Sequence, residues 1–453
     1  MRPVLGKIFL LALFISDTAH AGVPPLLSLS QALAITALHQ EAVVSAKAGI
    51  SQTRAQRLGA IGAFLPTLSV SDQAQLYEPI GRSTNTIIAG TLVPAQRGFY
   101  YNAVTTNFGL NLFAGGKDAA GFRAARDALK SAKAGLAAAI NAAFVRVLQS
   151  YEALAKDQAT VSTQKKVVVI NRAIAHLTEL RYRHRMASRI TWIQAEQQTL
   201  QAETQLSQDR QQEVSDTEAL LRAMGYPSPP PVGIRVTSIP IGPTSARATV
   251  PIGTDPSVRA AYAQIKAARE QVDVARAGFW PTASLIAQYN WLGLDPHNPA
   301  VALSATAGNN YAAGLSINIP LLPAVNTVAA VQSAEAGVQN SFGTYDNAWA
   351  TVTSRRLATR QLYREAATTQ RLADRSAALA AENVRLTQER VDAQQSNRIG
   401  LDQAHMTAIE ANLSRAAASE DLNLAAWRMY RAEHPQSFAH LLLTTAQAST
   451  GMN

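Results

Sequence analysis

The sequence contains no cysteine among its 453 residues. Disulfide bonds, thiol catalysis, thiolate metal sites and lipid attachment to an N-terminal cysteine are therefore excluded. Aromatic residues are also scarce, at 6% of the chain, although 47% of the residues are hydrophobic. Because much of that hydrophobic content is alanine, the composition favours long, closely packed helices over a thick globular core.

Long apolar runs are missing as well. No segment approaches the roughly eighteen consecutive apolar residues of a transmembrane helix. At the N-terminus, Arg2 and Lys7 come with the short apolar segment 8–15, and Ala19-His20-Ala21 supplies small residues for cleavage. This pattern predicts a secretory signal peptide over residues 1–21, and hence an exported protein.

Motifs of catalysis are not found. The sequence has neither a His-Glu-x-x-His metal motif nor a Gly-x-Ser-x-Gly nucleophile motif. Gly115-Gly116-Lys117 resembles part of a phosphate-binding loop, but Asn111 replaces the first glycine of that loop and Asp118 replaces its Ser or Thr. We therefore expect no catalytic residue, no metal site and no cofactor, and predict that the protein is not an enzyme.

The charge of the chain is strongly basic, with a formal net charge of +10. In an exported protein this excess favours anionic lipid headgroups or acidic cargo over nucleic acid. A solvated basic surface without a specific partner explains the same charge, so both interpretations stay open.

The chain repeats one pattern twice. Phe64-Leu65-Pro66-Thr67 recurs as Phe279-Trp280-Pro281-Thr282, and each copy ends an alanine-rich helical segment and begins a run of alternating polar and apolar residues. This spacing is too long for a solenoid repeat and predicts a tandem duplication of one helix–strand–strand–helix–helix unit. The predicted segments are a first repeat over 22–225, a proline-rich linker over 226–255, a second repeat over 256–434 and a disordered tail over 435–453.

Four strands are predicted, at about 67–77, 100–113, 282–292 and 310–320. Each has about ten alternating positions, the length that a tilted strand needs to cross a bilayer. A soluble antiparallel sheet with one wet face is the alternative. Aromatic residues near the strand ends predict an interfacial girdle, which consists of Tyr77, Tyr100, Tyr101, Trp280, Tyr289, Trp291 and Tyr311.

Two long helices are predicted at about 116–184 and 323–390, because no proline interrupts these segments after their first residues and apolar residues recur every three or four positions. The fold class is thus mainly α with a small antiparallel β part. Four strands cannot lie open in lipid, where each unpaired edge group would cost several kcal/mol. Three chains would supply twelve strands for a closed barrel, so we expect a homotrimer in outer-membrane lipid.

The duplicated Phe-x-Pro turns and the segment Leu110-Asn111-Leu112-Phe113-Ala114-Gly115-Gly116 resemble the TolC family of outer-membrane factors, from about Ser28 to Glu433. The resemblance implies a trimeric twelve-stranded β-barrel in the outer membrane of a Gram-negative bacterium, continuing into a twelve-helix periplasmic α-barrel. It also implies a passive exit duct of a tripartite efflux pump or type I secretion system, with a periplasmic adaptor (membrane fusion) protein and an inner-membrane transporter as partners. An exported coiled-coil spacer of the cell envelope is the alternative function.

The resemblance further implies two helical hairpin tips, where the family usually has glycine. Here Arg185 and Gln394 take those positions, and Thr191 and Gly400 replace an aspartate that is common just beyond the turn. Charged residues crowd both tips, and ion pairs between helices could hold the duct closed. The predicted periplasmic gate or adaptor contact consists of Arg181, Arg183, Arg185, Arg189, Arg390, Asp392, Arg398 and Asp402.

Overall fold

The computed structural model describes residues 26–78, 85–93, 98–226, 233–243, 250–304, 306–321, 325–395 and 397–449. The predicted signal peptide lies outside the described residues, as do parts of the predicted linker. The chain divides into two compact units. The sheet unit contains Ile50–Ala132 and Ala261–Tyr345, and the helical unit contains Met1–Gly49, Lys133–Ala260 and Asp346–Asn453.

Most of the described chain is helical, and the strands are few, which confirms the predicted fold class at that level. Each half of the chain contains the expected order of helix, strand, strand, helix and helix. In chain order the elements are β1 (Leu26–Leu27), α1 (Leu29–His39), α2 (Glu41–Gly62), β2 (Thr67–Tyr77), β3 (Thr86–Ile88), β4 (Thr91–Val93), β5 (Phe99–Ala114), α3 (Lys117–Arg183), α4 (Arg189–Met224), β6 (Arg235–Val236), α5 (Pro256–Arg276), β7 (Thr282–Asp295), α6 (Pro299–Ala302), β8 (Thr306–Asn318), α7 (Val325–Asp392), α8 (Arg398–Glu433) and α9 (Phe438–Ser449).

The main sheet lies in the sheet unit and has the order β2-β5-β7-β8, with every neighbouring pair antiparallel. Each repeat therefore supplies one hairpin, and the two hairpins join at the β5–β7 pair. β8 lies at 306–318 rather than 310–320, because its ladder with β7 extends to the Gly293–Thr306 pair and ends at Thr282–Asn318. Strands β3 and β4 form a separate two-stranded hairpin between β2 and β5.

The first helical segment is divided into α1 and α2 at Gln40, whose backbone is extended. Ser28 caps α1 in a capping box with Gln31, so the backbone N–H groups of both residues find side-chain acceptors. The side chain of Gln40 accepts a hydrogen bond from the Val43 backbone N–H at 3.1 Å. The Gln40 side chain thus caps α2, so the break between α1 and α2 leaves few backbone groups without a hydrogen bond.

The prediction of a disordered tail over 435–453 is wrong for most of its length. Residues 438–449 form α9, and the side chains of Phe438, Leu442 and Ala446 are fully buried. Their spacing of four residues gives the helix one apolar face, and burying that face offsets the entropy of ordering the segment. The Ser/Thr/Ala composition concealed this periodicity.

The core of the helical unit combines side chains from α1, α3, α4, α8 and α9. Tyr151 and Trp427 are fully buried there, and the Tyr151 hydroxyl donates to the Leu27 carbonyl at 2.8 Å. By length and composition, α3 is the one described helix that could cross a membrane. Its apolar side chains Phe144, Val147 and Leu148 belong to this core, and core helices of soluble proteins pass the same test.

Candidate functional site

The main sheet has two chemically different faces. Residues paired across antiparallel strands point to the same side, so the register assigns every side chain to a face. The polar face contains Ser69, Ser71, Gln73, Gln75, Thr105, Asn107, Asn111, Ser284, Gln288, Asn290, Asn310, Ser316 and Asn318, together with the apolar residues Phe99, Ala103, Ile286, Leu292 and Leu294. The apolar face contains Leu68, Val70, Leu76, Tyr100, Val104, Phe108, Leu110, Ala283, Leu285, Ala287, Tyr289, Trp291, Tyr311, Ala313, Leu315 and Ile317, together with the polar residues Asn102, Thr106 and Asn309.

The two faces also differ in charge. On the four strands that the structure describes, the polar face carries no Asp, Glu, Lys or Arg, whereas the apolar face carries Asp72 at the middle of β2 and Asp295 at the end of β7. Leu68, Val70 and Leu315 are mostly exposed on the apolar face. A sheet with one exposed apolar face and one neutral, hydrogen-bonding face suits a wall between lipid and a water-filled lumen.

The predicted aromatic girdle is divided between the two faces. Tyr289 and Tyr311 are directly paired on the apolar face, one ladder position from Trp291 on that face. Tyr77 and Tyr101 lie on the polar face, where the Tyr101 hydroxyl donates to the Gln75 side-chain oxygen at 2.8 Å. The girdle prediction is therefore wrong for Tyr77 and Tyr101, because strand alternation turns them away from the other aromatic residues. Tyr100 lies on the apolar face, and Trp280 is exposed just before β7.

Both helical hairpin tips turn through the same backbone geometry, and both lie in the helical unit. Arg185 and Gln394 have left-handed backbones, with φ of 60° and 59°. The Met186 N–H donates to the Arg181 carbonyl at 2.7 Å, and Gln395 donates to Arg390 at 2.8 Å. This is the Schellman motif, which usually has glycine at the left-handed position.

Each tip then starts its next helix with a side-chain cap. Ser188 accepts a hydrogen bond from the Thr191 N–H at 3.2 Å, and Asn397 accepts one from the Gly400 N–H at 2.9 Å. These caps begin α4 and α8. The missing aspartates at Thr191 and Gly400 are therefore not needed for helix initiation here.

The charged tip residues pair along their own helices. Arg183 contacts Glu179 at 2.5 Å, Arg398 contacts Asp402 at 3.3 Å, and Asp392 accepts a hydrogen bond from Gln388 at 2.7 Å. Within the described tip residues, the ion pairs run within single helices. The expected ion pairs between helices are thus not formed within one chain, since the i,i+4 partner is nearer.

An aromatic contact crosses the first tip, and sequence reasoning missed it. The rings of Tyr182 on α3 and Trp192 on α4 stack with centroids 5.6 Å apart and planes inclined by 10°. Met186 and Ile190 beside them are exposed. The sequence signal was the spacing of the two aromatic residues. Tyr182 lies three residues before Arg185 and Trp192 seven residues after it, and a hairpin at Arg185 brings these positions opposite each other.

Further along the helical unit, carboxylates gather around Asp157 of α3. Burial and, after it, the neighbouring Asp216, Glu213 and Asp209 together raise the pKa of Asp157 to about 7. Nearby, Lys156 contacts both Glu152 and Asp421, and burial raises the pKa of Glu152. Within the described part of the chain, no group of three or more His, Asp or Glu residues is arranged to hold a metal ion.

Comparison with known proteins places this geometry in a family. The sequence matches the family described as outer membrane efflux protein over residues 30–226 and 252–432. The chain belongs to the outer membrane efflux protein family. As a family member it is a passive export channel of the Gram-negative outer membrane that extends into the periplasm, and it is not an enzyme. The spacer alternative is not favoured.

Solved structures share the fold of this efflux protein. The outer membrane protein VceC of Vibrio cholerae is 18% identical with a TM-score of 0.69, and the match covers 89% of this chain and 95% of that one. CusC is 13% identical with a TM-score of 0.72, covering 89% and 91%. The Campylobacter jejuni CmeC outer membrane channel is 15% identical with a TM-score of 0.64, covering 92% and 89%. No curated protein matches the sequence.

Proposed function

We propose that three copies of this chain form a twelve-stranded barrel in the outer membrane, continuing into a twelve-helix periplasmic tunnel. One observation carries the proposal: the four-stranded sheet ends in two outer strands, β2 and β8, each paired on one side only within the described chain. In lipid such edges must be paired, and three sheets joined edge to edge close the ring.

The dimensions of the apolar face support this proposal. On β7 the apolar face runs from Ala283 to Trp291, a length of about 27 Å at the usual rise of a strand. A strand tilted by about 40° then spans roughly 21 Å across the membrane, close to the apolar band of outer-membrane barrels. Tyr289, Trp291 and Tyr311 mark one end of this band and Trp280 the other, as interfacial aromatic residues do.

Exposed leucines on α7 support the oligomer independently. Leu372, Leu379 and Leu386 recur every seven residues, and the first two are 65% and 63% exposed. A seven-residue leucine repeat is the seam of a coiled coil, which needs a facing helix. Helices of the neighbouring chains would cover this seam in the trimer.

For the trimer, the experiment is membrane extraction followed by a denaturing gel. The protein should stay with outer membranes after high salt or carbonate and run as an oligomer that heat dissociates. A matched control is the same protein expressed without residues 1–21, which should not reach the membrane. A chain that washes off as a soluble monomer would contradict the barrel.

We also propose that the duct completes a tripartite efflux pump through a periplasmic adaptor and an inner-membrane transporter. The family name, outer membrane efflux protein, supports efflux over polypeptide secretion. A deletion strain should become more susceptible to toxic small molecules, and a plasmid copy should restore tolerance. Loss of one secreted polypeptide with unchanged susceptibility would instead indicate a type I secretion system.

The two tips are proposed as the periplasmic gate and adaptor contact, with Arg181, Arg183, Arg185 and Arg189 on the first and Arg390, Asp392, Arg398 and Asp402 on the second. Asp392→Ala or Asp402→Ala should raise single-channel conductance in planar bilayers, because in the proposed trimer each removes a carboxylate that faces the arginines of the adjacent tips. Asp374→Ala, farther from the tip on α7, is the control and should leave conductance unchanged. If conductance is unchanged in Asp392→Ala and Asp402→Ala as well as in the control, these two carboxylates do not hold a gate closed.

A further inference from the structure

The β3–β4 hairpin packs on the polar face of the main sheet. Val93 is fully buried against Phe99, Ala103 and Leu292, which all belong to that face. The hairpin belongs to the connection between β2 and β5, at the end of the sheet away from α2 and α3. It therefore covers one end of the polar face.

Hydrogen bonds hold the hairpin in this place. The Asn310 side-chain amide donates to the Ala89 carbonyl at 2.7 Å and approaches the Thr91 hydroxyl at 3.2 Å. The Asn290 amide donates in turn to the Asn310 side-chain oxygen at 2.9 Å. The side-chain N–H and oxygen of Asn310 are thus both hydrogen-bonded, and these bonds join the hairpin to the sheet.

Close approach of the two layers depends on small residues. A Cβ atom at Gly308 would lie 2.7 Å from the Thr91 methyl carbon, so a larger residue there would push the hairpin away. Ala89 and Gly90 form the turn with φ of 47° and 78°, the left-handed pair that a tight two-residue hairpin needs. The tight turn at Ala89 and Gly90 and the small residue Gly308 together let the hairpin lie against the sheet.

The opposite face of the hairpin is apolar and uncovered. Ile87 and Leu92 are paired across the two strands, and they are 70% and 63% exposed. They point away from the sheet on its polar side. In a closed barrel that side is the lumen, where lipid cannot reach them, so two adjacent apolar side chains would face water unless something covers them.

The width of the barrel identifies what covers them. Twelve strands about 4.8 Å apart, tilted by about 40°, enclose a barrel of roughly 12 Å backbone radius. A second layer lies at most about 10 Å from a sheet, and the contact between Gly308 and Thr91 brings this one closer. The three hairpin backbones therefore stop several ångströms short of the axis, within reach of their Ile87 and Leu92 side chains. We propose that the Ile87–Leu92 faces of three copies meet there and form an apolar outer seal of the channel. This inference rests on the proposed trimeric barrel.

Such a seal closes by excluding water, as hydrophobic constrictions in channels do. The Asn310 hydrogen bonds hold each hairpin in the closed position, and breaking them lets the hairpin move off the sheet. The seal acts at the membrane end of the duct and is separate from the tips of the helical unit.

The first test is cross-linking, which the absence of native cysteine makes specific. In outer membranes of intact cells, oxidised Ile87→Cys protein should yield covalent dimers on denaturing gels, because two of three thiols can join. Tyr311→Cys, on the apolar face, is the matched control and should stay monomeric when denatured. Failure of Ile87→Cys to cross-link within a heat-sensitive trimer overturns the seal.

The second test measures access from outside. A bulky, membrane-impermeant maleimide should label His297→Cys in the exposed β7–β8 connection quickly, and Ser316→Cys deep on the polar face slowly. Adding Asn310→Ala should speed Ser316→Cys labelling on the order of tenfold, as expected when one or two hydrogen bonds are lost. Adding Ile87→Asp with Leu92→Asp should also speed it, because carboxylates at the constriction no longer exclude water.

The two proposals fail differently. If Ser316→Cys is labelled as fast as His297→Cys in the otherwise unchanged protein, the seal is wrong and the barrel stands. If His297→Cys is not labelled and no trimer runs on the gel, the proposed barrel itself is wrong.

Discussion

The guanidinium group of Arg360 on α7 donates a hydrogen bond to the carboxylate of Glu433 at 2.7 Å, and the Glu433 side chain is only 3% exposed. Arg356, one turn earlier, donates to the Ala432 carbonyl at 2.8 Å. Two arginines of one helix therefore hold the end of α8, just before the chain enters α9. Because Glu433 is buried, Arg360 is its compensating charge.

Removing that partner should destabilise the protein. Arg360→Met should lower the free energy of unfolding by about 3 kcal/mol, because it leaves a buried carboxylate without a counter-charge. Arg385→Met is the control: Arg385 also contacts two carboxylates, at 2.5 Å, but all three groups are exposed. Its effect should stay below about 1 kcal/mol. Urea unfolding of both purified variants measures the difference, and equal effects would contradict the assignment.

Adjacent alanines on β8 separate the two faces of the sheet. Ala312 pairs with Gln288 on the polar face, and Ala313 pairs with Ala287 on the apolar face. Ala313→Arg should cost about 2–4 kcal/mol if this face lies in lipid, whereas Ala312→Arg should be tolerated in a water-filled lumen. The amount of heat-sensitive trimer in outer membranes measures the effect. Equal assembly of both variants would argue for the soluble-sheet alternative.

The left-handed residues at the hairpin tips carry a conformational cost. Arg185→Gly and Gln394→Gly should each stabilise the tip by roughly 0.5–1 kcal/mol, because glycine adopts positive φ without a Cβ clash. Arg183→Gly, at the last residue of α3, should instead destabilise by up to about 1 kcal/mol. Hydrogen exchange of the tip amides in the purified protein distinguishes them. Slower exchange in the first two variants and faster exchange in the third is the expected result.

Asp157 should make stability depend on pH. Its pKa is about 7 in the folded protein against an ordinary value of 3.8, so the folded state binds the proton more tightly than the unfolded state. Stability should therefore fall as pH rises from about 4 to about 7 and change little from this group above that range. Asp157→Asn should remove this part of the dependence and raise the melting temperature at pH 8.

The matched control for that measurement is Asp374→Asn, since the exposed Asp374 carboxylate accepts a hydrogen bond from Gln370 of its own helix. Melting temperatures of the three proteins between pH 4 and pH 8 provide the comparison. If the melting temperatures of the original protein and of Asp157→Asn change with pH in the same way, Asp157 is not the source of the pH dependence.

Local pattern was enough to locate the strands and the long helices, whereas both tip turns were located by the family resemblance. Strand alternation and helical periodicity act over a few residues, so Leu68-Ser69-Val70 and Leu372, Leu379 and Leu386 report them directly. The α9 helix was missed because composition was weighed above the spacing of Phe438, Leu442 and Ala446. The stack of Tyr182 on Trp192 required the hairpin to be closed before the two rings could be paired.

What the sequence by itself determined is the duplicated helix and strand plan, the alternation within each strand and the absence of thiol chemistry, because these depend on neighbouring residues alone. Only the tertiary structure decided which face Tyr77 and Tyr101 share, that Asn310 holds a hairpin 221 positions away, and that Glu433 is buried against Arg360. These contacts join residues far apart in the chain, and their energies depend on register and burial, which no local pattern specifies.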